Sequence, residues 1–391
     1  MKRRRSAKQA RGTAESLHRQ DLPPCRYFLS TGSTLLDLAI SDRYPGGVGS
    51  GRTTQIIGDH STAKTVIVKE ILGAAQRLGG YAVEEDAEYT PDFLRAELFG
   101  LHVGKWADEA VQAEARNMPI YEAVRIEKDY CYRNPESIEA VFDEEIGPLC
   151  QLVEGRLGEG AKAKQVEPLP KPLAIGVDTF TALPSRTEKG EALDERSYRA
   201  ERAKRMSAGF RKWLAPMARN DVALIAVDHI RDNIGVMFGP KWTTSGGKAL
   251  QQYASTRIFL AQAGDLKNRA GRTVGVKIKA KVVKNKIAPP GRETFFYVLF
   301  DYGIDDIRGN LEWLAEQAQA GIETALGKSG AWWSWRGEKL GQGIEGAIEA
   351  VERAGLEKEL EAEVARVWQV VYEGPGRARK RRHGQEAQEE V

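Results

Sequence analysis

Cysteine is scarce: Cys25, Cys131 and Cys150 are the only three in a chain of 391 residues. They are scattered and form no paired-ligand spacing, so a structural zinc site is not expected and a reducing cytoplasm fits. Long apolar runs are missing as well. None approaches the ~20 residues that a bilayer-spanning helix needs, and residues 1–26 contain no apolar core of a secretory signal. No membrane span is expected. An excess of one charge is also absent, since 58 Lys and Arg against 55 Asp and Glu leave a net charge of +3. What is present, 41% hydrophobic and 29% charged residues, describes a soluble globular chain long enough for one large core and a smaller satellite domain.

The near-zero balance hides an uneven distribution. Residues 2–19 carry seven Lys and Arg, among them Arg3, Arg4 and Arg5, against the single acid Glu15. Arg377, Arg379, Lys380, Arg381 and Arg382 precede an acidic end. Such blocks are usually solvated tails, and they also attract polyanions. The expected organisation is a flexible basic arm over residues 1–26, a core over 27–304, a small α+β domain over 305–372 and a charged tail over 373–391.

Within the core, strands are expected at Thr53–Ile57, Gly80–Glu84, Ala123–Ile126, Leu173–Val177, Ala223–Val227, Thr256–Ala261, Val274–Val283 and Thr294–Phe300. Helical patterns separate the earlier ones, which predicts a mostly parallel twisted sheet with helices on both faces. The late strands follow one another closely and predict an antiparallel extension. Residues 158–172, with three prolines and two glycines, read as an irregular insertion. Beyond residue 306 the pattern turns helical around Trp332, Trp333 and Trp335 and a Gly-rich turn at Gly337–Gly343.

The stretch 53–75 is the most informative. An apolar strand runs into Gly58-Asp59-His60-Ser61-Thr62-Ala63-Lys64-Thr65, and Val66, Ile67, Ile71, Leu72 and Ala75 then recur at helical spacing. Strand, loop with Lys-Thr, then helix is the layout of a phosphate cradle, in which backbone N–H groups and a helix N-terminus meet an anion. In that layout Lys64 reaches the β- and γ-phosphates of a nucleotide and the Thr65 hydroxyl ligates Mg²⁺. The pattern normally has Gly where this chain has Ala63. The alternative is an ordinary strand-to-helix turn that contains Lys-Thr.

Three further strand ends bear on this. Leu173–Val177 ends in Asp178, an acid fit to sit beside Mg²⁺ or to cap the next helix. Tyr81–Glu85 leads to Asp86-Ala87-Glu88, where one acid could activate a water; spacing alone does not select Glu88. Val222–Val227 runs through Asp228 and His229 into the Gly-rich, partly basic and aromatic stretch Asp232–Gly247. Loops of that composition stack on bases and follow a single strand, or serve as ordinary lids.

In order along residues 28–370, these motifs resemble the bacterial recombinase A family. The matching stretches include Ser30-Thr31-Gly32-Ser33 with Leu36-Asp37, the phosphate loop, Asp86-Ala87-Glu88, and Val177-Asp178 with Ala182-Leu183. Ile234–Gly239, Gly246-Gly247 and Lys281–Ala288 follow, then Gly330-Ala331-Trp332, Gly337-Glu338-Lys339 and Gly341-Gln342-Gly343. The resemblance implies a RecA-like ATPase core that forms helical filaments on single-stranded DNA and exchanges strands with duplex DNA. It implies ATP and Mg²⁺ as cofactors, with residues 58–65, Asp92 and Arg95 around the nucleotide, Thr65 and Asp178 at the metal, and Glu88 as the base. His229 falls at the γ-phosphate sensor. Lys284 and Lys286 match lysines that reach the nucleotide of the adjacent subunit. Two DNA-facing stretches are implied: one with Arg196, Arg199, Arg202, Lys204 and Arg205, the other with Ile234, Met237, Phe238, Lys241, Trp242, Gly246 and Gly247.

The chain also departs from the family. Ala63 replaces the loop Gly, His229 a Gln, Gln252 an interface Phe, and Arg95 the aromatic over the adenine. Gly100–Leu173 is longer than the family pattern, the N-terminal arm is shorter and more basic, and the tail is basic. These departures mark a divergent member, of a kind a phage or plasmid could carry. Two alternatives to an active recombinase stay open: a filament protein that holds ATP with little hydrolysis, and a regulator that co-assembles with a host recombinase.

Overall fold

The computed structural model describes residues 24–158, 162–189, 195–232, 242–244 and 247–372. The expected basic arm up to residue 23 and the tail from 373 lie outside the described residues. The chain enters through β1 (Phe28–Leu29), which pairs antiparallel with β2 (Val48–Gly49) around helix α1 (Thr34–Ser41). The Ser33 hydroxyl accepts from the Leu36 N–H at 3.4 Å and so caps α1.

A central sheet follows. Its parallel part comprises β3 (Thr53–Gly58), β4 (Tyr81–Asp86), β5 (Tyr130–Arg133), β6 (Leu173–Asp178) and β7 (Val222–Asp232). A short β8 (Trp242–Thr244) runs antiparallel on β7, and β9 (Thr256–Lys267) lies parallel to β3 on its other side. Then β10 (Thr273–Asn285), β11 (Glu293–Leu299) and β12 (Gly303–Ile304) extend the sheet antiparallel. The order is β12-β11-β10-β9-β3-β7-β6-β4-β5. From β3 the chain therefore skips two positions to reach β4 and fills them later. Crevices at the carboxyl ends of such strands are where ligands bind in open α/β sheets.

Every residue of β3 is buried, as is all of β6 except Asp178. β6, covered on both faces, reads as a continuous apolar run rather than an alternating one, while β3 buries Thr53, Thr54 and Gln55 beside Ile56 and Ile57. Helix α2 (Lys64–Arg77) covers one face with Ile67, Val68, Ile71 and Leu72. It lies close over β6 because Gly176 has no side chain: a Cβ there would stand 2.5 Å from Val68 Cγ1.

The strand expected at Ala123–Ile126 is not one. Pro119 caps a helical turn over Ile120–Ala123, and the N–H groups of Ala123 and Val124 donate back to Pro119 and Ile120 at 3.0 Å. The fixed φ of proline suits a helix start, so the apolar Ala-Val pair enters the core from a turn. The strand at this edge is β5, whose Tyr-Cys-Tyr is buried. Between β4 and β5 lies α3 (Phe93–Leu98), and α4 (Gly147–Val153) follows β5. The 158–172 insertion is entered through a two-residue pairing of Arg156–Leu157 with Lys164–Gln165. The long helix α5 (Glu195–Arg219) leads to β7, and α6 (Gly247–Tyr253) precedes β9.

After β12 come α7 (Asp306–Gln319), an antiparallel sheet of β13 (Leu326–Ser329), β14 (Trp332–Trp335) and β15 (Glu338–Gln342), then α8 (Gly343–Ala354) and α9 (Glu357–Tyr372). Trp333 and Trp335 are buried; Trp332 is half exposed, with the Lys339 ammonium 5.3 Å from its ring. Trp368 of α9 donates to Asp42 at 3.3 Å and ties this part to the end of α1.

Candidate active site

β3 ends at Gly58, where a Cβ would stand 2.4 Å from Thr62 Oγ1 and 3.0 Å from the Leu260 carbonyl. The loop after it can fold back over the strand end only because that position is glycine. Thr62 Oγ1 and Lys64 Nζ both donate to the Asp59 carbonyl, at 2.8 and 2.5 Å. Ala63 sits at the N-cap of α2 with φ 62° and ψ 23°. That left-handed conformation costs a residue with a Cβ about 1 kcal/mol, which is the physical reason a glycine suits the place. The cradle keeps its shape with alanine and carries that strain. Helix α2 opens directly on the loop, so its first, unsatisfied N–H groups are available to an anion there.

The acids gather at the neighbouring strand ends. Asp86 and Asp178 are paired in register across β4 and β6. Thr65 Oγ1 donates to Asp178 Oδ2 at 2.7 Å. Burial pushes the Asp178 carboxyl up to about 6, opposed by the Thr65 hydrogen bond, while Glu88 and Glu84 push it further up. Burial also lowers the Lys64 ammonium, opposed by Asp178, Asp59 and Glu88. Two oxygens side by side at the helix start, facing a lysine, suit Mg²⁺, which takes one or two protein ligands and keeps its waters.

Geometry distinguishes the four acids between 84 and 88. Glu84 is held by Lys69 Nζ at 2.9 Å and by the Tyr130 hydroxyl at 2.6 Å. Asp86 accepts the N–H groups of Glu88 and Thr90 and the Tyr132 hydroxyl, at 2.9, 2.8 and 2.7 Å, and so shapes the loop. Glu85 is fully buried. Glu88 alone of the four reaches His229, whose Nε2 lies 3.2 Å from its Oε1.

β3 and β7 align Gly58 with His229, so the phosphate loop and this imidazole are neighbours. The His60 and His229 rings are 5.2 Å apart. His229 Nδ1 is buried without a hydrogen-bond partner among the described residues. Burial, and then Lys64, lower the imidazole below its ordinary value, opposed by Glu88, which favours the neutral ring. The His60 contact could not be read from the sequence, because it depends on the β3–β7 register. A histidine inside the loop was the only signal.

Asp92 caps α3 by accepting the Arg95 N–H at 3.1 Å. Asp92 and Arg95 line, with Thr65 and Val66, a cleft of about 190 Å³ closed by Val298 and Phe300. Lys284 and Lys286 are not brought here. Lys284 is level with Arg257 and hence with Gln55, toward the amino end of β3, on the order of 10 Å along the strand from Gly58. Its ammonium donates to the Gln251 and Gln252 carbonyls at 2.8 and 2.9 Å. Burial, and then Lys286, lower it to about 8.

Of the first basic stretch, Arg196 and Arg199 lie on α5. Arg202 is paired with Glu188, and Arg205 with Glu201 at 2.6 Å and Glu139 at 3.3 Å. Lys204 is largely exposed, 3.9 Å from Glu201. A DNA phosphate meeting Arg202 or Arg205 therefore has to replace a carboxylate. Ile234, Met237, Phe238, Lys241 and Gly246 lie outside the described residues; Trp242 opens β8 and Gly247 opens α6.

A family model described as the RecA N-terminal domain matches residues 173–305. The chain is 32% identical over 338 residues to the RecA protein of Thermus thermophilus, covering 86% of this chain and 84% of that one. It is 34% identical over 321 residues to that of Rubrobacter xylanophilus, covering 82% and 77%. With the RecA protein of Chlamydia trachomatis it shares 31% over 339 residues, covering 86% and 80%.

Proposed function

The chain belongs to the RecA family, and from that membership we propose that it is an ATP-dependent recombinase. In this reading it forms helical filaments on single-stranded DNA and pairs that strand with homologous duplex. The observation that carries it is the closed set of contacts at the strand ends: Lys64 on the loop, Thr65 on Asp178 at 2.7 Å, and Glu88 on His229 at 3.2 Å.

In this reading Lys64 and the α2 N-terminus hold the β- and γ-phosphates of ATP. Thr65 and Asp178 hold Mg²⁺, which supplies charge neutralisation at the phosphates. Asp92 and Arg95 flank the adenine, on which a guanidinium can stack. Glu88 takes a proton from the attacking water, and His229 Nε2–H orients that carboxylate. Lys284 and Lys286 act on the neighbour's nucleotide: in their own chain they sit toward the far end of the sheet, where a second copy can bring an anion to them. A cation supplied across the interface stabilises charge on the transferring phosphoryl group. The basic stretch Arg186–Arg205 and the Asp232–Gly247 segment face DNA. No helix among the described residues is long and apolar enough to cross a membrane, and we place the protein in the cytoplasm.

The test is ATP turnover with and without single-stranded DNA, joined to a strand-exchange assay. Turnover stimulated by DNA, together with exchange, is expected. A second reading, a filament protein that holds ATP and hardly hydrolyses it, draws on the Glu88–His229 hydrogen bond, which occupies the base. DNA and ATP binding without stimulated turnover would favour it over the first.

A further inference from the structure

The segment joining β4 to β6 lines a second, open-mouthed cavity of about 660 Å³, which Tyr89 next to Glu88 also borders. That volume is in the range that holds a nucleotide. Glu145, 5% exposed, lines it. Its Oε1 is held by the Arg133 guanidinium at 3.1 and 3.2 Å, while Oε2 is buried and has no partner among the described residues. Glu85 stands opposite Arg133 in register, with both carboxyl oxygens buried and unpartnered. Glu85 does not line the cavity, but two carboxyls against one guanidinium leave the wall behind it short of hydrogen-bond donors. Burial raises both acids, as such a shortage requires.

The rest of the lining has a different chemistry. Tyr121 and Tyr89 present partly exposed rings. Tyr89 is fixed there because Asp86 accepts the N–H groups on either side of it. Arg116 is exposed at the rim beside Arg186, which is paired with Glu144. An occupant that satisfies all three regions is flat, carries adjacent N–H donors at its inner edge and an anion at its outer one. Among the common bases only guanine shows an imino N–H beside an amino group on its pairing edge.

We propose that this cavity binds a guanine nucleotide, its N1–H and 2-amino edge on Glu145, its ring against Tyr121 and Tyr89, and its phosphate on Arg116. The source is a base turned out of single-stranded DNA. Arg186 on the rim opens the stretch 186–205 that the reading above assigns to DNA, and the inference rests on that reading.

The experiment measures binding of the full chain, with a slowly hydrolysed ATP analogue, to oligothymidylate and to the same strand carrying one central guanosine or inosine. Guanosine is expected to tighten binding about tenfold, with inosine, which lacks the 2-amino group, in between. Arg116→Ala and Tyr121→Ala, both at exposed side chains, should abolish the preference and leave oligothymidylate binding unchanged. Calorimetry with free dGMP separates the sources. Saturable heat lost in Arg116→Ala assigns the pocket to the free nucleotide; no heat, with the guanosine preference present, assigns it to the strand. Equal affinity for all three strands and no dGMP binding overturns the inference alone. Failure to bind any strand overturns the DNA-binding reading beneath it.

Discussion

At the carboxyl ends of β3, β4, β6 and β7, Lys64, Thr65, Asp178 and Glu88 each touch another polar group of the same chain. Toward the other end of the sheet Lys284 finds, among the described residues, the carbonyls of Gln251 and Gln252, and burial holds its ammonium at about 8. On the proposed reading the first region grips a triphosphate alone. The second holds a cation whose proton burial has loosened, and an arriving anion would hold that proton more tightly. On that reading a chain with both is unfinished as a monomer and complete at a head-to-tail contact, the heterologous kind that generates helical filaments.

Breaking the first region should have the largest effect. Lys64→Ala should weaken ATP binding about 10³-fold, as loss of a buried charge partner does; an ATP titration of the purified variant checks it. Breaking the second with Lys284→Ala and Lys286→Ala should slow turnover on DNA about 10²-fold while ATP affinity and melting temperature hold. Loss of the fold in that double variant would make the lysines structural.

A pH series sharpens the contrast. Lys284 has a folded value of about 8, and a neighbour's phosphate would raise it, so assembly takes up a proton when the starting pH is above 8. ATP-dependent assembly should then weaken as pH rises above 8, up to about tenfold per unit, and Lys284→Arg should flatten the profile because a guanidinium stays charged. Light scattering across pH reads this out. The smallest effect is local to the cradle. Ala63→Gly relieves the left-handed strain and should stabilise the chain by about 1 kcal/mol, visible in thermal unfolding.

Much of this was legible in the sequence. The buried strands β6 and β7 announce themselves as apolar runs, and the Lys64-Thr65 loop sits where strand pattern gives way to helix pattern. Ala123–Ile126 misled because a short apolar run has no period of its own, and the preceding Pro119 decided for a helical turn. The acids at 84–88 could not be ranked, since strand alternation does not reveal that Lys69, Tyr130 and Tyr132 engage two of them. The distance between Lys284 and the cradle is a matter of sheet register, which motif order along a chain does not contain. The orphaned oxygens of Glu85 and Glu145 are equally invisible before folding.

The central claim is that one protomer's cradle and its neighbour's lysines make a single site. Mixing Lys64→Ala protomers with Lys284→Ala/Lys286→Ala protomers tests it most directly, because each variant supplies what the other lacks. With random mixing at equal amounts about a quarter of the head-to-tail contacts are intact, so DNA-stimulated ATP turnover should return to about a quarter of the unmodified level. A mixture as inactive as its two components would contradict the account.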